Sequence, residues 1–184
     1  QLIENDSKNP YTRENIPQYA IDSFLARIEV LKKNKIIIKD LEQPKLTKEQ
    51  LFNAYVFKIF QKIDILNVSA GGTNIRWFTD LNLLQLKMLY KILEDIWNYR
   101  SELSIDKKKA IVPNKTMFLV SVNDVYKMIK KRPLQKILLE ERDTLVSSAE
   151  NIEDKITGSY FVLTALVEVS QQCMEALPWL IQHS

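Results

Sequence analysis

Residues 79–100 read Thr79-Asp-Leu-Asn-Leu-Leu-Gln-Leu-Lys-Met-Leu-Tyr-Lys-Ile-Leu-Glu-Asp-Ile-Trp-Asn-Tyr-Arg100, and their apolar spacing decides the fold class. Leu81, Leu84, Met88, Leu89, Ile92, Ile96 and Trp97 recur at helical intervals, while Leu83, Leu86, Tyr90 and Leu93 lay a second stripe beside them. A helix apolar on two sides packs against two sets of neighbours, so this stretch predicts a long helix at the axis of a core. Thr79 or Asp80 is placed to cap its start. At about 1.5 Å per residue it would run roughly 30 Å, the width of a small domain.

The flanking sequence repeats the helical pattern. Thr47-Lys-Glu-Gln50 has the form of a capping box, followed by Leu51, Phe52, Tyr55, Val56, Ile59, Phe60 and Ile63 on one stripe with Lys48, Lys58 and Lys62 elsewhere. Tyr19, Phe24, Ile28 and Leu31 give a helix from about residue 18 to 33 a buried face. Downstream, Ser104 caps a short turn through Lys109, and residues 113–121 are irregular. A short helix over 123–131 is ended by Pro133, which in turn opens a helix with Leu134, Ile137, Leu138 and Leu145 inside and Glu140, Glu141 and Arg142 outside. Residues 151–158 are polar enough to be a connection. Tyr160 to Cys173 returns to an apolar helix, and residues 176–181 form a last short one that Trp179 docks. Ile36, Ile37 and Ile38 form a β-branched run with no second strand to pair with, so an extended connection is expected there.

With only Gly71, Gly72 and Gly158 as glycines, long helices are favoured over a turn-rich barrel or sandwich. The fold class expected is all-α, a multi-helix bundle or HEAT-like array around the long central helix. Residues 1–17, with Pro10 and Pro17, make an irregular arm, and residues 18–184 a single helical domain. One cysteine, Cys173, excludes an intrachain disulfide framework. No apolar run reaches the length of a membrane span and no signal-peptide pattern opens the chain, so an intracellular, cytoplasmic setting is expected. Because the chain starts at Gln1 rather than Met, further sequence is expected upstream, where a targeting signal or active residues could lie.

Catalytic constellations are sparse. His183 is the one histidine and sits beside the C-terminus, while Cys173 lies in an apolar helical context with no histidine near it. Glu94-Asp95 and Glu140-Glu141 are adjacent acids that diverge by about 100° on a helix and form neither an acid/base pair nor a metal cage. The Ala70-Gly-Gly-Thr-Asn74 loop lacks the Walker and dinucleotide spacings, and so reads as an interhelical loop. Catalytic, cofactor and metal residues are therefore expected to be none, and no small-molecule substrate is evident. Arg76, Trp77 and Phe78, which follow the loop, have the residue types of a binding hot spot and are the candidate partner contacts, with core burial of Trp77 as the alternative.

Charge is unevenly spread behind a net +3. Residues 105–136 hold nine lysines and arginines against Asp106 and Asp124, whereas residues 137–184 hold eight acids against Arg142 and Lys155. Lys107, Lys108, Lys109, Lys127, Lys130, Lys131 and Arg132 are the candidates for binding nucleic acid or an acidic partner, with Tyr126 available to stack on a base. The same residues read equally as solvated surface or as a dock for the acidic segment of another copy, and Lys-Lys-Arg-Pro is also like a nuclear import signal.

The stretch 86–100, with Asn9-Pro-Tyr-Thr-Arg13 and Val162-Leu-Thr-Ala-Leu-Val-Glu-Val169, resembles uncharacterised proteins of large nucleocytoplasmic DNA viruses. Frequent isoleucine, lysine and asparagine point the same way. The resemblance implies a viral factory or virion setting and supplies no activity and no site residues. The expected function is a non-enzymatic helical interaction or scaffold domain, a viral structural or assembly component, binding a protein partner or a second copy. Nucleic-acid binding through residues 107–136 is the alternative.

Overall fold

The computed structural model describes residues 15–33, 46–67 and 71–183, and its contacts divide the chain into two units, Gln1–Lys45 and Leu46–Ser184. In the first unit one helix is described, α1 (Gln18–Lys33), with the bounds expected from the sequence. Tyr19 and Phe24 are exposed on it rather than buried; no other described element of the unit covers them. The isoleucine run 36–38 and most of the arm 1–17 lie outside the described residues.

The second unit is an all-α bundle. Its elements are α2 (Lys48–Leu66), α3 (Arg76–Thr79), α4 (Leu83–Asp95), a π-helical turn (Ile96–Arg100), α5 (Ile105–Ile111), α6 (Val122–Lys127), α7 (Lys131–Ser147), α8 (Ile152–Val169), α9 (Gln171–Ala176) and a 3-10 helix (Pro178–His183). Caps set most of the boundaries. The Thr47 hydroxyl accepts from the Gln50 amide at 3.1 Å while the Gln50 side chain accepts from the Thr47 amide at 2.8 Å, as the sequence predicted. Ser104, Ser121, Asn151 and Ser170 cap α5, α6, α8 and α9.

The helix expected over 79–100 is interrupted at both ends. Leu81 is buried at 3 % exposure, so the chain turns after α3 to bring it inward. Asn82 and Gln85 then build a second reciprocal capping box, both bonds at 2.9 Å, in place of a cap at Thr79 or Asp80. At the far end the Ser101 amide bonds to the Ile96 carbonyl at 3.0 Å, widening the last turn into a π-helix. The first apolar stripe is only partly used, since Leu81, Leu89, Ile96 and Trp97 are buried but Leu84 and Met88 are exposed. The second turns inward, with Leu86, Tyr90 and Leu93 buried and Leu83 half-buried.

α4 meets α8, α7 and α6, while α8 touches α2, α4, α5, α7, α9, the π turn and the 3-10 helix. α8 is therefore the most widely shared element of the bundle. Its first half is the polar stretch 151–158, expected as a connection and found helical because Asn151 caps it and Gly158 lets two backbones touch. A Cβ on Gly158 would lie 2.0 Å from the Leu145 carbonyl oxygen, so α7 and α8 can approach this closely only with glycine there. Pro133 is the third residue of α7 rather than its first, still within the turn whose amides have no helical acceptor. The short helix expected to run to Lys131 stops at Lys127.

Two residues assigned outside α7 are inside it. Arg142 is fully buried and Glu141 is 6 % exposed. The Arg142 guanidinium lies over the rings of Phe78 and Phe60, 4.4 and 4.8 Å from their centroids, and among the described residues none of its nitrogens has a hydrogen-bond partner. Burial lowers its pKa to about 9, with the neighbouring Cys173 acting the other way. The Glu141 carboxylate accepts the Phe118 amide at 3.2 Å. Two neighbouring charged residues are thus drawn into the core at two different features, an aromatic sandwich and a loop.

Candidate functional site

Trp77 and Phe78 belong to the core. They are 4 % and 0 % exposed, Trp77 edge-on to Phe60 and Phe78 against Phe52 and Arg142. Of the three expected partner contacts only Arg76 reaches the surface, where it lines a cleft of about 300 Å³ with Asp80, Gln85, Gln171 and Glu175.

The seven basic residues do not form one patch. Lys107 pairs with Asp154 in the first turn of α8 at 2.5 Å, and Lys108 lies over the Trp97 ring at 5.7 Å. Lys127 pairs with Asp124 at 3.0 Å on its own helix. Lys131 donates to the Thr79 carbonyl at 3.0 Å. Arg132 lies 3.5 Å over the Phe52 ring and pairs with Glu49 at 3.0 Å. Lys109 and Lys130 are exposed. Lys107 is held at the first turn of α8, just past the C-terminal end of α7, whereas Arg132 lies in the first turn of α7, so the two are separated by the length of α7, about 25 Å at the helical rise. That distance exceeds the roughly 8 Å Debye length of physiological salt, so the two clusters do not add to one local field. Lys131 and Arg132 line a cleft of about 380 Å³ with Glu49, Phe52, Thr79 and Gln135.

A different surface emerges on α2. Its inner face, Phe52, Val56, Ile59, Phe60 and Ile63, is buried. On the opposite side Ala54, Phe57, Gln61 and Ile65 follow one another at steps of three, four and four, a straight row along a helix. Phe57 is 58 % and Ile65 69 % exposed. Leu51 and Tyr55, expected in the buried stripe, flank this row at 55 % and 37 % exposure. Ile65 also forms one wall of a groove of about 280 Å³ that continues over Leu66, Val146 and Ser147 and is bounded by Lys62 and Lys155.

The polar edge of this surface is rigid. Lys62 donates to Asp143 and to Ser147, both at 2.7 Å, and the Tyr55 hydroxyl donates to the other Asp143 oxygen at 3.1 Å. Burial pushes the Asp143 carboxyl up, but the hydrogen bonds from Lys62 and Ser147 and the Lys62 charge outweigh it and hold the group below the usual carboxylate range. Burial together with Asp143 raises the Tyr55 hydroxyl to about 12. At the C-terminus of α2, Asn67 donates to Ser159 on α8 at 2.7 Å. The row is therefore presented on a helix fixed at its middle and its end.

Cys173 is fully buried, and burial raises its thiol to about 12, which makes it a poor nucleophile. The His183 side chain lies outside the described residues. Among those described, no three His, Cys, Asp or Glu residues are grouped to hold a metal, and no helix is long and apolar enough to cross a membrane. The α2 row is masked in the sequence because Leu51 and Tyr55, which flank it, also fit the spacing of the inner stripe. Phe57 and Ile65, eight residues apart and off that stripe, were the available signal. No protein-family model, curated protein or solved structure matches the chain.

Proposed function

We propose that the 46–184 unit is a non-enzymatic protein-interaction or scaffold domain whose contact surface is the outer face of α2. The observation that carries this is the exposed Phe57 and Ile65 row on a helix whose other face is already buried in the core. Phe57 and Ile65 stand two turns apart on one face of the helix, the kind of apolar row by which helices dock in grooves. The buried, weakly acidic Cys173 thiol supports the non-enzymatic part. The viral assembly setting rests on the sequence resemblance alone.

The alternative, nucleic-acid binding through residues 107–136, loses support because Lys107, Lys127 and Arg132 are paired with carboxylates and the clusters lie at opposite ends of a helix pair. One selection separates the two. A displayed random-peptide library is panned on the full chain and counter-selected on a Phe57→Glu/Ile65→Glu variant whose helicity is checked by circular dichroism. Peptides enriched on the parent and lost on the variant are expected. Equal enrichment on both, together with DNA or RNA binding that falls steeply with salt, would replace this reading with the alternative.

A further inference from the structure

Resting on that reading, we infer that the partner of the α2 face is an acidic amphipathic helix of another protein. The groove at the C-terminal end of the row has three apolar walls, Ile65, Leu66 and Val146, and the charged residues that bound it are Lys62 and Lys155, with no carboxylate among them. Asp143 is engaged by Lys62 and by Tyr55. Lys155 has no ion pair among the described residues, and Lys58, one position on from Phe57, is exposed. On the opposite flank Asp64 is half-buried, and on α7 Glu140 is exposed near Tyr55. The edge next to the groove thus stays positive by one charge, with Lys58, Lys62 and Lys155 against Asp143, which is already paired with Lys62, and Glu140.

Shape selects a helix. From Ala54 to Ile65 the row runs eleven steps, about 16 Å at the helical rise, which is three turns of a packed partner. A partner side chain the size of leucine fits the groove beside Ile65, and glutamates flanking its own apolar stripe would meet Lys58 and Lys155. A second copy of this chain is the competing occupant, since its residues 137–184 are rich in acids.

The test uses a fluorescein-labelled helical peptide with leucines at i, i+4, i+7 and i+11 flanked by glutamates, and its twin with lysine at every glutamate position. Fluorescence anisotropy with the full chain is read at physiological salt. The acidic peptide is expected to bind about tenfold more tightly than the basic one. Lys58→Glu/Lys155→Glu should reverse the preference, and Phe57→Ser/Ile65→Ser should remove binding of both. The proposal is overturned if the two peptides bind alike, if neither binds, if charge reversal leaves the preference unchanged, or if sedimentation shows a dimer broken by Phe57→Ser. Displayed peptides that need Phe57 yet carry no acidic flank would leave the interaction reading standing and remove this one.

Discussion

Arg142 is the residue at which this bundle spends stability. With no acceptor among the described residues and two aromatic faces against it, its guanidinium is a buried charge compensated by cation–π contact alone. Arg142→Met fills the same slot without the charge, and chemical denaturation should show it more stable than the parent by about 1 kcal/mol or more. The alkaline branch follows from the same group. Cys173, at 9.0 unfolded, and Tyr55 and Tyr90, at 10.0, rise to about 12 in the fold. They keep protons that the unfolded chain releases, so their stabilisation is full below about pH 9 and lost as pH rises towards 12. Arg142 shifts the other way, from 12.5 to about 9, and its deprotonation relieves burial over the same range. Cys173 and Arg142 offset each other from about pH 9, so stability falls above about pH 10, where both tyrosines add to Cys173, and Arg142→Met should steepen the fall in urea midpoints measured between pH 7 and 11. Beside it, Glu141 acts on Phe118, whose φ of 55° is uncommon for a bulky residue. Tyr90 assists, its ring edge-on to Phe118 and its hydroxyl donating to the Val120 carbonyl at 2.7 Å. Glu141→Leu removes the acceptor and should speed amide exchange across residues 113–121. Glu141→Gln, which keeps an acceptor, should leave it near the parent rate.

Element boundaries follow caps and close approaches more than hydrophobic periodicity. The Thr47 and Gln50 box was legible because its spacing is a local chemical pattern. Asn82 and Gln85 carry the same reciprocal chemistry, but an apolar pattern running through Leu81 masked it. The first half of α8 was illegible for a different reason. Polar composition argued for a loop, and the need for glycine at 158 depends on where the Leu145 carbonyl lies, a tertiary fact absent from the local sequence. Gly158→Ala tests that contact: the added methyl cannot avoid a backbone oxygen, so α7 and α8 must separate. The variant should lose at least about 3 kcal/mol in equilibrium denaturation. A loss below about 1 kcal/mol, the ordinary gain in helix propensity offsetting the strain, would mean that the two helices are not so closely packed.

Across the whole molecule, the all-α class was readable from few glycines and repeated 3.6-residue spacing, because these reflect the bulk of the core. Surface function was less readable. Charge density along the chain pointed to residues 107–136, yet folding sends Lys107 to one end of the α7 and α8 pair and Arg132 to the other, each with its own carboxylate. Conversely, Phe57 and Ile65 are ordinary apolar residues in the sequence and become informative only when their helix is seen with its other face buried. The most direct measurement is methyl NMR of the full chain titrated with a peptide that needs Phe57 in the library selection. Shifts are expected at the Ala54, Ile65 and Val146 methyls, with those of Ile105 and Ile129, beside the two basic clusters, unmoved. Shifts confined to Ile105 and Ile129 would contradict docking on α2.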